Sequence, residues 1–354
     1  MFKRGARMRK LALAAAAVLL LLSACSDKGA QKPAVEDSGK KATAAKKETE
    51  LPFAYPLTGI GSQTPTGGRA FAVMVNNHPK ARPQSGLNKA DIVYELLAEG
   101  DITRFLAVFQ SEKPEKVGPV RSARDYYIDL AKGLDSVFIA HGYSEEAKEM
   151  LTQGYIDHLN GMTYDGTLFK RASFRQAPHN SYITHENMVK GSEMNDFDLS
   201  LTPPNFKFLS EKEEGSIEGL DAPSVKVSYF SNDTFTSVYQ YDSEKGKYKR
   251  YSNGELTSDL ESGEPVLLDN IFIAEMDHKA AGPGGLRDID LKSGGKGLLL
   301  QKGKVIEVSW LNDNGRIVPV IDGNEARLVR GKTWVNIVPS NPGIDNVVTF
   351  EGNE

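Results

Sequence analysis

The sequence holds one cysteine, Cys25, in 354 residues. A single thiol forms no intramolecular disulfide, and once committed elsewhere it leaves no cysteine nucleophile and no cysteine zinc site. Charge of one sign is lacking too: 43 Lys+Arg against 47 Asp+Glu give −4. That balance, with no interleaving of aromatic and basic residues, excludes a strongly basic nucleic-acid binder. Neither G-x-S-x-G nor G-x-G-x-x-G occurs. Ser293-Gly-Gly-Lys296 fits S-x-x-K only formally, in a glycine-rich turn, and Gly297 stands where a phosphate loop needs Ser or Thr. No cofactor and no metal site is expected. What is present, 40 % hydrophobic residues and ample length, is enough for folded cores.

The N-terminus carries Lys3, Arg4, Arg7, Arg9 and Lys10 and no acid, followed by an apolar run at residues 11–22. As a helix that run reaches about 18 Å, short of a hydrocarbon core of about 30 Å, so it reads as a secretory signal. Leu22-Ser23-Ala24-Cys25 looks like a bacterial lipobox, in which the cysteine is acylated and becomes the new N-terminus. The expectation is a signal peptide at residues 1–24 and a lipidated Cys25 that partners membrane lipid on the extracytoplasmic face of the cell membrane. Losing the five cations takes the formal charge from −4 to −9. Acyl chains contribute about 0.8 kcal/mol per buried CH₂, so two or more hold without a basic patch. Residues 26–50 lack aromatics and read as a tether with a root-mean-square reach on the order of 27 Å.

Strand and helix signals alternate over residues 51–205, predicting a mixed α/β domain. The run at 71–75 reads as a strand, Gly100-Asp101 as a hairpin loop, and 136–140 as a buried strand ending at His141. Ser122, Ser144 and Thr184 mark helix starts, Ser122 through a capping-box pattern with Asp125. Residues 206–222, broken by Gly215 and Gly219, read as a linker. From 223 to 354 β signals dominate, punctuated by Lys245-Gly246, Asn314-Gly315 and Asp322-Gly323. This predicts a small all-β domain, barrel or sandwich undecided.

With Gly100-Asp101 as the loop, alternation places Glu95, Leu97, Glu99, Ile102, Arg104 and Leu106 on one face of the hairpin, Arg104 diagonal to both glutamates. Four strand residues separate the glutamates by about 13 Å, too far for paired-carboxylate glycoside hydrolysis. Arg121 and Arg124 stand three apart at a helix start, where guanidiniums hold carboxylate or phosphate. With Arg104 they could form an anion pocket, or they brace the domain against the glutamates. His141 follows a buried strand, where α/β sheets gather ligands. His179 and His185 lack helical metal spacing and read chiefly as structural or acid–base groups.

Val73-Met-Val-Asn-Asn77, Ala81-Arg-Pro-Gln-Ser-Gly-Leu87, Ala90-Asp-Ile-Val-Tyr-Glu95, Glu99-Gly-Asp-Ile-Thr-Arg-Phe105, Val117-Gly-Pro-Val-Arg-Ser-Ala-Arg124 and Ala177-Pro-His-Asn180, with the lipobox, resemble the YerB-type lipoproteins of Gram-positive bacteria. The resemblance covers nearly all of the mature chain. It implies an α/β domain followed by a separate β-rich domain, and it carries no assigned reaction. The matched polar positions are Asn76, Asn77, Arg82, Gln84, Ser85, Glu95, Glu99, Arg104, Arg121, Arg124 and His179. The expected function is non-catalytic binding or scaffolding at the envelope through an Arg-lined anion pocket, the partner an envelope protein or a cell-wall component. The alternative is an enzyme of peptidoglycan or its precursors using Glu95 or Glu99 with His141 or His179. A transporter's solute receptor would fit the lipobox but not an all-β second half.

Overall fold

The computed structural model describes residues 51–229 and 233–351; Cys25, the leader and the tether lie outside the described residues. Strands β1 (Phe71–Asn76), β2 (Ile92–Glu99) and β3 (Ile102–Phe109) are apolar almost throughout and buried almost throughout. That is the signature of strands covered on both faces. Helix α1 (Asp125–Lys132), strand β4 (Val137–Ala140), helix α2 (Glu145–Thr152) and strand β5 (His158–Asn160) follow. Short strands β6 (Phe169–Arg171) and β7 (Ser181–Thr184) then lead into helix α3 (His185–Met194).

The second half is smaller and largely β. Its main strands are β8 (Ser224–Val227), β9 (Ser237–Asp242), β10 (Lys247–Ser252), β11 (Asn270–Met276), β12 (Gly295–Gln301), β13 (Lys304–Asp313), β14 (Arg316–Ile321), β15 (Thr333–Pro339) and β16 (Val348–Glu351). One twelve-stranded sheet passes through both halves. Through the named strands it runs β14-β13-β12-β11-β15-β2-β3-β1-β4-β5. Strand β15 makes the junction, pairing parallel with β11 on one side and β2 on the other. The other named strands of this half run β10-β9-β8-β16 within a six-stranded sheet.

Alternation along β1 explains the layers. Ala72 and Met74 share a core with Tyr126, Tyr127 and Leu130 of α1 and Leu151 of α2. Phe71, Val73 and Val75 point the other way, into a core with Met188 of α3 and with Val225, Tyr239 and Tyr248 of the six-stranded sheet. The β-rich half is therefore neither a closed barrel nor a free-standing sandwich. Some of its strands extend the α/β sheet and the others pack on that sheet's face.

Local signals place most elements correctly. Ser144 Oγ accepts from Ala147 N (3.3 Å) and Thr184 Oγ1 from Asn187 N (3.1 Å), capping α2 and α3 as expected. The expected cap at Ser122 is not made: α1 begins at Asp125, with Arg124 at the N-cap position and no side-chain cap bond. Residues 121–123 are instead drawn into bridging contacts, Arg121 N donating to Met74 O (3.0 Å) and Ala123 N to Gly142 O (2.9 Å). Ser122 Oγ donates to His141 O (3.2 Å). Strand β14 carries Pro319 opposite Trp310. The Asn314-Gly315 turn before it takes left-handed φ at both residues, 53° and 95°, as a tight hairpin requires.

Candidate functional site

The hairpin carries a β-bulge that reassigns its faces. Leu97 lies opposite Thr103 but Glu99 opposite Ile102, so Ala98 is the extra residue. Arg104 stands opposite Leu96 rather than Leu97, and Glu95 opposite Phe105 rather than Leu106. The single face expected for Glu95, Leu97, Glu99 and Arg104 is corrected. Glu99 joins Arg104 on the α1 side, and Glu95 points into the six-stranded sheet.

Glu95 is completely buried, and its carboxylate is saturated. Oε2 accepts from Arg250 Nη2 (3.0 Å), Trp334 Nε1 (3.0 Å) and Ser237 Oγ (3.1 Å). Oε1 accepts from Thr103 Oγ1 (3.1 Å) and Asn77 Nδ2 (3.3 Å). Arg250 stacks over Trp334 and Phe105, 4.6 and 5.1 Å from the ring centroids. Arg82 borders this network, donating from Nε to Asn77 Oδ1 (3.1 Å) and from Nη2 to Thr234 O (2.8 Å). Burial, then Arg250, pulls the Arg82 pKa down to about 10, so it stays charged at neutral pH.

Glu99 holds three guanidiniums. Arg104 Nη2 lies 2.6 Å from Oε1, Arg121 Nη2 lies 3.8 Å from the same oxygen, and Arg124 Nη2 bonds Oε2. Burial pushes the Glu99 pKa up, but Arg104, Arg124 and Arg121 outweigh it and hold the group below its ordinary value. Three cations on one carboxylate leave two positive charges uncompensated. Arg104 spends Nη1 on Ser122 O (2.8 Å) and Arg124 spends Nη1 on Ala123 O (2.7 Å). The Nε atoms of Arg121 and Arg124 are buried without a hydrogen-bond partner. A cleft of about 230 Å³ opens beyond Arg124, between Ser144 and Arg287, with Asp125, Glu146 and Asp288 on its walls.

Arg121 also faces the C-terminal ends of three mutually parallel strands, β1, β4 and β5, the end at which open α/β sheets gather ligands. Asn76 closes β1, His141 follows β4 and Asn160 closes β5. The guanidinium is near enough to His78, His141 and His179 to disfavour protonation of each. His141 is fixed on both ring nitrogens, Nδ1 at 2.8 Å from Ser181 Oγ and Nε2 at 2.8 Å from Arg171 Nη2. A guanidinium only donates, so Nε2 accepts and the proton sits on Nδ1, donated to Ser181. Burial first, then Arg171, lowers the His141 pKa and keeps the ring neutral.

Gly161 sets the ring's position: a Cβ there would lie 2.1 Å from His141 Nδ1. Gly161→Ala is expected to displace the imidazole and cost about 1–3 kcal/mol, since overpacking a closed site forces its neighbours to move. Urea unfolding together with the His141 proton resonances checks both effects; an unmoved ring would disprove the constraint.

The expected residues thus divide. Arg104, Arg121, Arg124 and Glu99 form one cluster, with Asn76, His141 and His179 at the strand ends beside Arg121. Gln84 supports that edge, donating to Asn76 O (3.0 Å). Asn77, Arg82 and Glu95 belong to the buried network on the opposite face. Ser85 pairs its backbone with Gly118 and buries its hydroxyl without a partner. The sequence reading missed His78, Lys80, Arg171, Arg175, Ser181 and Arg250. A signal existed for two of them, because residues 166–185 contain Lys170, Arg171 and Arg175 and no acid. Nothing local marks Arg250, whose importance comes from a partner 155 residues away.

Two family models match the chain. The N-terminal domain of "Protein of unknown function (DUF3048)" covers residues 57–198 and its C-terminal domain covers residues 225–335. The chain is 48 % identical over 324 residues to "Putative lipoprotein YerB" of Bacillus subtilis (strain 168), spanning 91 % of this chain and 92 % of that protein. A crystal structure of YerB from Bacillus subtilis superposes with a TM-score of 0.78 at 48 % identity, covering 84 % of this chain and 99 % of that one.

Proposed function

The chain belongs to the DUF3048 family, to which its two halves match in order, and from that premise we propose a lipid-anchored, extracytoplasmic protein that binds an anionic envelope component without catalysis. Acylation at Cys25 would hold it on the membrane, and the tether would let the folded part stand away from it. The observation that carries the binding reading is the arginine excess. Arg104, Arg121 and Arg124 converge on the single carboxylate of Glu99, and Arg121 keeps an unpartnered Nε beside the strand ends. Bracing alone needs one guanidinium per carboxylate, and gathering three costs mutual repulsion that a bound anion relieves.

The enzymatic alternative is not supported. Glu95 is sealed away from both histidines, Glu99 is held ionised by three arginines and has no proton to give, and the His141 ring is occupied on both sides. Cell-wall fragments and a series of small anions, titrated calorimetrically against the full chain, test the proposal. Arg121→Gln is expected to weaken anion binding about tenfold with little loss of stability, because its ion pair is the longest of the three. Equal affinity of variant and parent would rule the arginine site out.

A further inference from the structure

At the end of β1 two imidazoles stack, those of His78 and His179, with centroids 4.5 Å apart and planes at 27°. Their tautomers follow from groups that can act in only one way. Lys80 N donates to His78 Nδ1 (3.1 Å). His78 N, an obligate donor, bonds Asn76 Oδ1 (2.9 Å), which turns the Asn76 amide nitrogen toward His179 Nδ1 (2.9 Å). Both Nδ1 atoms therefore accept, and each neutral ring carries its proton on Nε2. Neither Nε2–H has a hydrogen-bond partner among the described residues.

The charges facing the pair are all of one sign. Lys80, Arg121 and Arg82 act on His78, and Arg121, Lys80 and Arg175 act on His179. Arg175 spends its donors on Tyr182 Oη (2.6 Å) and Pro83 O (2.7 Å), and Arg82 on Asn77 and Thr234, so neither touches a carboxylate. Arg121 reaches only the shared Glu99 at 3.8 Å. Lys80, Arg121 and Arg175, with only the shared Glu99 opposing them, and two N–H groups without a protein partner form an electropositive patch on a chain whose net charge is −4.

We propose that His78 and His179 are a paired Nε2–H donor site which, together with Arg121, takes a phosphate ester anion. This rests on the anion-binding reading above and names its ligand class. A planar carboxylate is satisfied by a single arginine fork, whereas two stacked N–H donors added to a guanidinium suit the several oxygens of a tetrahedral phosphate. Neutral imidazoles supply those donors without adding charge to a patch already crowded with cations.

The chain has six histidines, so spectra of nitrogen-15 histidine-labelled protein resolve the pair. The full chain is placed in neutral phosphatidylcholine bilayers and titrated with glycerol phosphate and, separately, acetate; a parallel sample contains phosphatidylglycerol. Glycerol phosphate, or phosphatidylglycerol alone, is expected to shift both Nε2 signals while the Nδ1 signals keep their acceptor values. A shift from the dissolved ester identifies a free phosphate source and a shift from the lipid a headgroup, and either supports the proposal. His179→Phe and His78→Phe keep a stacking ring and lose one donor, and each should weaken binding about tenfold in folded protein. Undiminished phosphate binding in both variants, with loss in Arg121→Gln, would overturn the imidazole site and leave the arginine reading standing. Acetate acting as strongly as glycerol phosphate would overturn the ligand class. Loss in none of the three variants would remove both readings together.

Discussion

Arg250→Ala is expected to lower the free energy of unfolding by about 3–5 kcal/mol, because it strips the counter-charge from a buried carboxylate. Glu95 and Arg250 are 0 % and 1 % exposed, so water cannot take over solvation of the abandoned anion. The neutral donors that would remain, from Asn77, Thr103, Ser237 and Trp334, do not replace a cation. The lost side chain also vacates the space over Trp334 and Phe105. Urea unfolding followed by tryptophan emission measures the loss directly, since Trp334 sits in the network and the chain has only two tryptophans. The double variant Glu95→Gln with Arg250→Met should be markedly more stable than Arg250→Ala, because removing both charges removes the desolvation penalty along with the attraction. A loss below about 1 kcal/mol for Arg250→Ala would contradict the account. Because the pair links β2 to β10, both halves should unfold in one transition.

The second large effect is expected at Glu99. Glu99→Gln leaves Arg104, Arg121 and Arg124 facing one another without an anion, at a cost of roughly 3 kcal/mol at neutral pH and low salt. The pH dependence has a definite sign. The Glu99 pKa is lowered on folding, so its contribution is complete above the ordinary carboxyl value of 4.5 and is lost as pH falls through the lower folded value. The gap between parent and variant should therefore close in acid. Added phosphate should return part of the stability to the variant at neutral pH, supplying the missing negative charge. Equal stability of parent and variant at neutral pH would show that the three cations do not depend on this carboxylate.

These two groups look alike in the sequence, two glutamates four apart on one strand, and the structure gives them separate partners on opposite faces. The cause is a single bulged residue. Strict alternation is the only rule available from sequence, and it puts Glu95 and Glu99 on one face with Arg104 diagonal to both. Ala98 breaks that register, and no property of alanine announces it. The site proper was legible in its parts. Arg121, Arg124 and Arg104 were visible as clustered guanidiniums, and His141 as the residue after a buried strand. The stacked partner of His179 was not visible, because His78 and His179 are held together by Asn76, across 103 residues from one end of the contact to the other.

The sequence by itself determined the features that a few neighbouring residues decide: caps at Ser144 and Thr184, and hairpin turns at Asn314-Gly315 and Asp322-Gly323. It also determined the α/β character of the first half and the β character of the second. Only the tertiary structure decided how those halves meet, because β15 inserts between β11 and β2 through pairings that link residues 92–95 to 333–336. The same long-range assembly chose which carboxylate is sealed by Arg250 and Trp334 and which is left to three arginines beside the strand ends. Backbone hydrogen bonds and apolar periodicity act within a strand or a turn. Partner choice across hundreds of residues depends on which face each strand finally buries.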